Sequence, residues 1–349
     1  MVFLFRLLGR LPLRLLHPLG ALAGWLTYLL SPTYRRHVRE NMAQAGIDPA
    51  LRTAAAAEAG KQMLELARIW LRTLAQTNAQ VAEVVGWEHV EAAQQAGKGI
   101  VFLTPHLGCF EITAQYYSAF GDVTVLYRPP RQASIQRMIL DGRKRERLHL
   151  APADLSGVRS LIKALKKGQA VGMLPDQAPK VGEGVWLDFF GKPAYTMTLA
   201  ARLTETGATP LMAWGERLPG GRGYRLHFGP PQQALSGGTV ERAQQINGEI
   251  ETLIRQCPTQ YLWGYNRYKH PGGAEPPPAF VLCVRGEAFE LGEGLSPAAA
   301  EHTRAAWELL QVLVGDTEIE ALIRQCPTQY LWGYNRYKRP GGAEMPPAE

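Results

Sequence analysis

Short apolar runs alternate with helix-compatible stretches along the middle of the chain, and this alternation limits the possible folds more than any other feature. The runs span Gly99 to Thr104, Val123 to Tyr127, Ala170 to Leu174 and Thr209 to Trp214. Helical patterns span residues 33 to 76, Phe110 to Ala119, Leu155 to Lys167 and Thr198 to Thr206. Strands separated by helices predict a parallel sheet with covered faces. We therefore predict an α/β fold, with a largely parallel central sheet flanked by helices.

The first thirty residues form a separate apolar and basic region. Arg6, Arg10 and Arg14 recur at a spacing of four, which places the cations on one side of a helix. The least interrupted apolar stretch, Leu15 to Leu30, is shorter than the roughly 20 residues of a spanning helix and contains a proline and a glycine. We predict a helical, membrane-associated region over residues 1–30, at the cytoplasmic face of the membrane because basic residues flank it. An ordinary pair of buried helices is the alternative.

The C-terminal part of the chain repeats an earlier segment. Leu253 to Lys269 recurs unchanged as Leu322 to Lys338. Two copies do not make a solenoid, since such arrays generally need three or more units. A linker with a proline cluster and one helix-like stretch, Pro297 to Val314, separates the copies. We predict a main domain over residues 31–275, followed by a linker and duplicated segment over residues 276–349.

Composition restricts the classes of partner. Lys and Arg number 38 against 31 Asp and Glu, a formal charge of +7, which favours an anionic partner without identifying it. No nucleic-acid motif accompanies the charge, so we predict no nucleic-acid partner. The four cysteines have no C-x-x-C pairing or zinc spacing, and neither a disulfide framework nor a metal site is predicted. Phosphate-loop and dinucleotide fingerprints are also missing, so no cofactor is predicted.

A histidine and a carboxylate stand close together where the first apolar run meets a helix. In Thr104-Pro-His-Leu-Gly-Cys-Phe-Glu111, four residues separate His106 from Glu111. Strand ends of this kind hold the sites of α/β proteins, and a histidine there can accept a proton near neutral pH. A carboxylate on its other ring nitrogen would fix the tautomer. The spacing alone is a weak signal, because a lone histidine followed by a glutamate is usually structural.

Further blocks in a fixed order strengthen the signal. They are Tyr127-Arg-Pro-Pro130, Leu161 to Gly168, Leu174-Pro-Asp-Gln177, Phe189 to Pro193, Gln260 to Trp263 and Asn266 to Lys269. In these blocks the sequence resembles the bacterial lipid A late acyltransferases, lauroyl and myristoyl transferases of the lysophospholipid acyltransferase superfamily. The resemblance covers about residues 1 to 275.

The resemblance implies a role for each matching residue. His106 would be the general base and Glu111 its orienting partner, with no covalent acyl-enzyme. Arg128, Asp176, Gln177 and Arg267 would bind substrate, although Gln177 stands where some members carry histidine. A surface arginine, a turn or helix-capping aspartate and simple packing of the Arg267 segment are the alternatives. Basic residues between Arg131 and Arg147 would suit an acidic carrier protein or lipid phosphates.

The resemblance implies an acyltransferase at the inner membrane. Acyl carrier protein would donate the acyl group, and a hydroxyl of a Kdo-bearing lipid A precursor, an anionic glycolipid, would accept it. Acylation of a lysophospholipid or an aminolipid is a second hypothesis, because the histidine and carboxylate are shared across the superfamily. A non-catalytic membrane-binding protein is a third, in which the duplicated segment competes with the first copy for one groove and disables the scaffold.

Overall fold

The computed structural model describes residues 2–127 and 145–272, together with Glu301 and Arg304. The chain divides into two units, Met1–Pro276 and Pro277–Glu349. The fold described below is that of the first unit. The linker stretch Pro297 to Val314, apart from Glu301 and Arg304, and the second copy, Leu322 to Lys338, lie outside the described residues.

The N-terminal part is helical, as predicted. It consists of α1 (Val2–Arg10), α2 (Leu13–Leu30), α3 (Pro32–Gln44), α4 (Arg52–Leu71) and α5 (Leu74–Asn78). The proline and glycine inside the apolar stretch do not end α2, which continues past Pro18. Within residues 2–127 and 145–272, none of the helices is long and apolar enough to cross a membrane.

Strands and helices then alternate. The strands are β1 (Val81–Val85), β2 (Ile100–Leu103), β3 (Val123–Tyr127), β4 (Leu148–Pro152), β5 (Ala170–Met173), β6 (Gly184–Phe189), β7 (Lys192–Met197), β8 (Thr209–Arg217) and β9 (Tyr224–Gly229). The helices among them are α6 (Trp87–Ala96), α7 (Phe110–Tyr117), α8 (Leu155–Lys166), α9 (Leu199–Thr204) and α10 (Thr239–Gln256). Each of the four apolar runs forms a strand.

The central sheet has seven strands in the order β1-β9-β8-β2-β5-β3-β4. Every neighbouring pair is parallel except β8 with β9, so β9 and β1 run against the other five strands. The largely parallel sheet is thus confirmed. The remaining pair, β6 and β7, forms a separate antiparallel hairpin whose turn has positive φ at Phe190 and Gly191.

Both faces of the sheet are buried at its central strands, as in a parallel sheet covered by helices. All residues of β2 and β5 are buried. Val101 and Leu103 contribute to a core with α3, α8, α9 and α10, while Ile100 and Phe102 contribute to a second core with α4, α6 and α7. The sequence between Ile100 and Leu103 therefore lacks polar alternation because neither face meets water.

Helices α2 and α4 approach through glycines. A Cβ atom on Gly60 would lie 2.0 Å from the carbonyl oxygen of Gly20, and one on Gly24 would lie 2.0 Å from that of Ala56. A side chain at either position would therefore clash with the other helix, and the two main chains come this close because glycine has no Cβ atom. Helix α2 also carries exposed apolar side chains, namely Leu15, Leu19, Leu22, Trp25, Leu26, Leu29 and Leu30, which we call the α2 apolar stripe.

Candidate active site

The candidate site lies at the carboxyl ends of β2 and β5, two adjacent parallel strands. The loop after β2 carries His106 and the loop after β5 carries Asp176. The ring Nδ1 of His106 lies 2.8 Å from Oδ1 of Asp176, and the backbone N–H of His106 donates to Oδ2 at 2.9 Å. The two loops are thereby joined by both oxygens of one carboxylate.

The two side chains of this pair are largely shielded from solvent. The side chain of Asp176 is 1% exposed and that of His106 is 15% exposed. Burial by itself raises the pKa of Asp176, but the charge and hydrogen bonds of His106 outweigh it and hold this pKa below the usual value of 3.8. An ionised Asp176 accepts a hydrogen bond from Nδ1–H of His106. The lone pair of the neutral ring then lies on Nε2.

Gln177 lies on the other side of the imidazole ring. Its amide Nε2 is 3.2 Å from Nε2 of His106. With the proton on Nδ1, the amide donates to the basic ring nitrogen. The ring of Phe110 covers one face of the imidazole, with the two ring centroids 4.8 Å apart. Nε2 of His106 is therefore already occupied by the Gln177 amide, which any other partner at this atom has to replace.

Glu111 has a different contact from the one predicted. It lies in the first turn of α7, and its Oε2 accepts a hydrogen bond from the indole Nε1 of Trp70 at 3.1 Å. In the described part of the chain, the carboxylate that bonds the His106 ring is that of Asp176. The contact with the ring that was predicted for Glu111 is thus made by Asp176, since strand order brings the β5 loop against the imidazole.

The residues predicted to bind substrate occupy three kinds of position. Gln177 reaches the reactive ring nitrogen. Asp176 is buried, and both of its carboxylate oxygens bond His106. Arg267 is 2% exposed and donates to the carbonyl of Tyr195 and to Oγ1 of Thr196. Its guanidinium thus stabilises the β7 backbone in the interior, not a substrate at the surface.

Arg128 lies outside the described residues, as does the basic stretch after it up to residue 144. Among the described side chains, no group of three or more His, Cys, Asp or Glu residues is arranged to hold a metal ion.

The His106 loop is supported from the segment that was recognised as repeated. The backbone N–H of Leu262 donates to the carbonyl of His106 at 3.1 Å, and Gly108 donates to the carbonyl of Gln260 at 3.0 Å. The Gln260 side chain bonds both backbone groups of Arg217, at 2.8 and 3.0 Å. The first copy of the repeat is thus built into the site as an extra strand-like support.

A buried ion pair lies behind the loop. Arg217 donates to both oxygens of Glu65 at 2.8 and 2.6 Å, and the Glu65 side chain is fully buried. Although burial raises the pKa of Glu65, Arg217 lowers it to about 2. The nearby Cys109 thiol is 2% exposed, and its pKa is raised well above 9.0 by burial and by Glu65. Cys109 is therefore a neutral, enclosed thiol and not a nucleophile.

Gln62 and Trp70 also contact the segment from His106 to Glu111 and were not among the predicted site residues. Both lie on α4, some forty residues before the loop. They fall within residues 33 to 76, which the sequence predicts to be helical, and no sequence pattern distinguishes Gln62 from the other polar residues of that stretch.

The sequence matches relatives along most of its first unit. The family model described as "Bacterial lipid A biosynthesis acyltransferase" matches residues 1–270. A lipid A biosynthesis lauroyltransferase of Escherichia coli is 29% identical over 196 residues, which are 55% of this chain and 63% of that protein. A lipid A biosynthesis acyltransferase of Haemophilus influenzae is 27% identical over 190 residues, 52% of this chain and 57% of that protein.

A relative from another lineage of lipid enzymes matches over a longer stretch. The phosphatidylinositol mannoside acyltransferase of Mycobacterium tuberculosis is 26% identical over 238 residues, 64% of this chain and 74% of that protein. This chain thus spans less than two thirds of the length of the two lipid A relatives. The family model nevertheless extends over the whole sheet and the site at its edge, and the chain belongs to the bacterial lipid A biosynthesis acyltransferase family.

Proposed function

We propose that this protein transfers a fatty acyl group from an acyl carrier protein thioester to a hydroxyl of a Kdo-bearing lipid A precursor. One observation carries the proposal: a buried carboxylate on Nδ1 of His106 leaves Nε2 as the basic atom. Family membership supports the reaction type, and the lauroyltransferase relative supports the lipid.

In the proposed reaction His106 is the general base. Nε2 accepts the proton of the acceptor hydroxyl as its oxygen attacks the thioester carbonyl. The imidazolium formed is stabilised by Asp176 at 2.8 Å. The tetrahedral intermediate then collapses, the ester forms, the carbon–sulfur bond breaks, and the carrier thiolate takes the proton from Nε2. The thioester supplies the activation, so the scheme needs neither cofactor nor metal.

Glu111 enters the proposal through the family motif. Glu111 lies in the first turn of α7, the helix that directly follows the His106 loop. Its carboxylate accepts a hydrogen bond from Trp70. A negative charge at this end of the helix favours the imidazolium that forms during attack. In this proposal Glu111 stabilises the positive charge of the imidazolium, while Asp176 sets the tautomer of the neutral ring.

The test combines purified protein with acyl carrier thioester and the lipid precursor, and detects the added acyl mass by mass spectrometry. His106→Ala should lower kcat by about 10²–10⁴-fold, the usual value of a general base. The matched control is His149→Ala. Nε2 of His149 lies 2.7 Å from Oδ1 of Asp122 in an exposed pair that is not part of the site. Wild-type turnover in His106→Ala would refute the mechanism.

A second acceptor class is favoured by the mycobacterial relative, which matches over 74% of its own length. That protein acylates a phosphatidylinositol mannoside according to its name. The same base can serve any lipid hydroxyl, so the alternative acceptor is another anionic glycolipid. Feeding both precursors in competition distinguishes the two, since the true acceptor will have the higher kcat/KM.

The α2 apolar stripe supports a membrane location. Its side chains are large and exposed, with Leu29 at 64% and Leu30 at 78%. Arg6, Arg10 and Arg14 are exposed nearby, and residues 1–30 contain neither Asp nor Glu. Exposed apolar and basic side chains together suit an interfacial helix on an anionic bilayer. We propose that the protein lies on the cytoplasmic face of the inner membrane, where carrier protein and lipid precursor meet.

Vesicle flotation tests this location. Wild-type protein should float with vesicles of phosphatidylglycerol and phosphatidylcholine, while a Leu22→Glu, Leu26→Glu double variant should stay below. Leu155→Glu is the matched control, because Leu155 is 77% exposed on α8 and is not part of the stripe. If the double variant and the control float equally, α2 is not the membrane contact.

A further inference from the structure

Helix α4 holds the reaction loop through two buried polar side chains. The amide Nε2 of Gln62 donates to the carbonyl of Gly108 at 3.2 Å, and Nε1 of Trp70 donates to Oε2 of Glu111 at 3.1 Å. Gln62 is 4% exposed and Trp70 is 8% exposed. Neither residue is a base, a nucleophile or a ligand in the proposed reaction, yet each bonds a residue within or beside the His106–Glu111 segment.

Gly108 is the point where this contact matters most. Its φ is +58°, and a Cβ atom would lie 2.0 Å from the carbonyl oxygen of Gly215. The peptide groups on its two sides are bonded in opposite directions, by N–H to Gln260 and by C=O from Gln62. Gly108 lies between His106 and Glu111, so its conformation sets the direction in which the two catalytic side chains leave the loop.

Helix α4 is itself well anchored. Glu65, one turn beyond Gln62, bonds Arg217 through both oxygens. On its other side α4 contacts α2 through Gly60. A side chain that acts from such a helix can hold a loop to within a fraction of an ångström, which general-base catalysis requires.

We propose that Gln62 and Trp70 are positioning residues: Gln62 fixes the turn at Gly108, and Trp70 fixes the carboxylate of Glu111. The inference rests on the proposed acyl transfer for its effect on rate. It predicts that loss of either N–H lowers kcat and leaves substrate binding nearly unchanged, since both side chains are buried and bond protein groups.

The test uses substitutions that remove the donor and keep most of the volume, Gln62→Met and Trp70→Phe. Each should lower kcat by about tenfold or more, with KM for the acyl carrier substrate within about twofold of wild type. Gln62→Met should also speed deuterium exchange in the peptide that contains residues 104–111, a readout that needs no activity.

Two controls make the same chemical changes elsewhere. Gln44→Met removes an amide that donates to the carbonyl of Phe190, and Trp87→Phe shortens a ring in the aromatic cluster of α6. Both should retain wild-type kcat and wild-type exchange in residues 104–111.

Failure of the two proposals looks different. If wild-type protein is inactive on every acyl donor and lipid acceptor, the proposed function falls and exchange at residues 104–111 alone decides whether Gln62 positions the loop. If wild-type protein is active and Gln62→Met and Trp70→Phe keep the kcat of their controls, the positioning inference is overturned. A matching rise in KM with unchanged kcat would also overturn it, because it would indicate substrate contact.

Discussion

His106 and Asp176 occupy equivalent positions on adjacent strands. Leu103 of β2 pairs with Met173 of β5, and each of the two residues follows its strand end by three residues, directly after a proline. Parallel neighbours that end in register carry their following loops to the same edge. The ring and carboxylate thus meet because two chain segments of equal length leave the sheet side by side.

Asp176→Asn tests this relationship. The amide cannot accept from Nδ1–H in the way a carboxylate does, so the proton is no longer held on Nδ1 and the imidazolium loses its stabilising charge. We expect kcat of acyl transfer to fall by about 10²–10⁴-fold with the fold retained. Asp122→Asn, in the exposed pair with His149, is the control. Equal rates in the two variants would show that Asp176 has no orienting role.

The pH dependence of stability follows from Glu65. Its pKa is about 2 in the folded protein against 4.5 ordinarily, so its contribution is complete above pH 4.5 and is lost as pH falls toward 2. This contribution is on the order of 3 kcal/mol. Urea unfolding at pH 7 and at successively lower pH should show the loss between pH 4.5 and 2.

Glu65→Gln should remove that loss. At pH 7 it leaves Arg217 incompletely paired in the interior, and we expect a destabilisation of about 3–5 kcal/mol. Glu83→Gln is the matched control, because Glu83 pairs with Arg225 at an exposed position; it should cost at most about 1 kcal/mol. If the stability of Glu65→Gln fell between pH 4.5 and 2 as steeply as that of the wild type, another group would control acid unfolding.

The glycine contact between α2 and α4 predicts opposite effects of the same substitution. Gly60→Ala places a methyl group 2.0 Å from the carbonyl of Gly20, and we expect it to cost about 1–3 kcal/mol of unfolding free energy. Gly248→Ala, in α10 with nothing within 4 Å of its Cβ position, should stabilise by about 0.5–1 kcal/mol. Thermal unfolding measures both, and a neutral Gly60→Ala would mean that the helices separate freely.

Deletion of residues 277–349 should leave folding and activity intact. The first copy of the repeated segment supplies the support of the His106 loop, through Leu262 and Gln260, and it lies within Met1–Pro276. Tm and kcat of residues 1–276 should equal those of the full chain. Aggregation or inactivity of the shortened protein would show that the second copy is needed.

The identical second copy allows a sharper comparison. Arg267→Ala removes two hydrogen bonds to β7 and should destabilise the protein, since it leaves Thr196 and the carbonyl of Tyr195 without that donor. The loss should be equal in the full chain and in residues 1–276. A milder effect in the full chain would show that Leu322 to Lys338 can replace the first copy.

Apolar runs gave β2, β3, β5 and β8 because strands buried on both faces lack polar residues. β9 was missed although Tyr224, Leu226 and Phe228 alternate with polar side chains, the pattern of a half-buried strand. The β6–β7 hairpin was missed because it has no Asn-Gly or Asp-Gly turn, and its Phe190-Gly191 turn needs an unusual positive φ at phenylalanine.

Sequence motifs select candidate residues for the site, whereas the contacts among them depend on the fold. Family motifs identified His106, Asp176 and Glu111, but spacing along the chain cannot show which carboxylate bonds the ring. That choice depends on β2 and β5 being neighbours, although the chain visits β3 and β4 between them. The burial of Arg267 depends likewise on the β6–β7 hairpin, which was not predicted from the sequence.

At Gly20, Gly24 and Gly60 the main chains of α2 and α4 meet with no side chain between them. Side chains can change rotamer and absorb a small displacement, whereas main chain against main chain cannot yield without moving a whole helix. A push on α2 from a lipid surface is therefore carried by α4 as a body, and α4 bears the amide of Gln62 and the indole of Trp70. Under the proposed membrane location, this contact couples the lipid surface to the His106 loop, and we expect acyl transfer to be slower without lipid even toward a water-soluble acceptor.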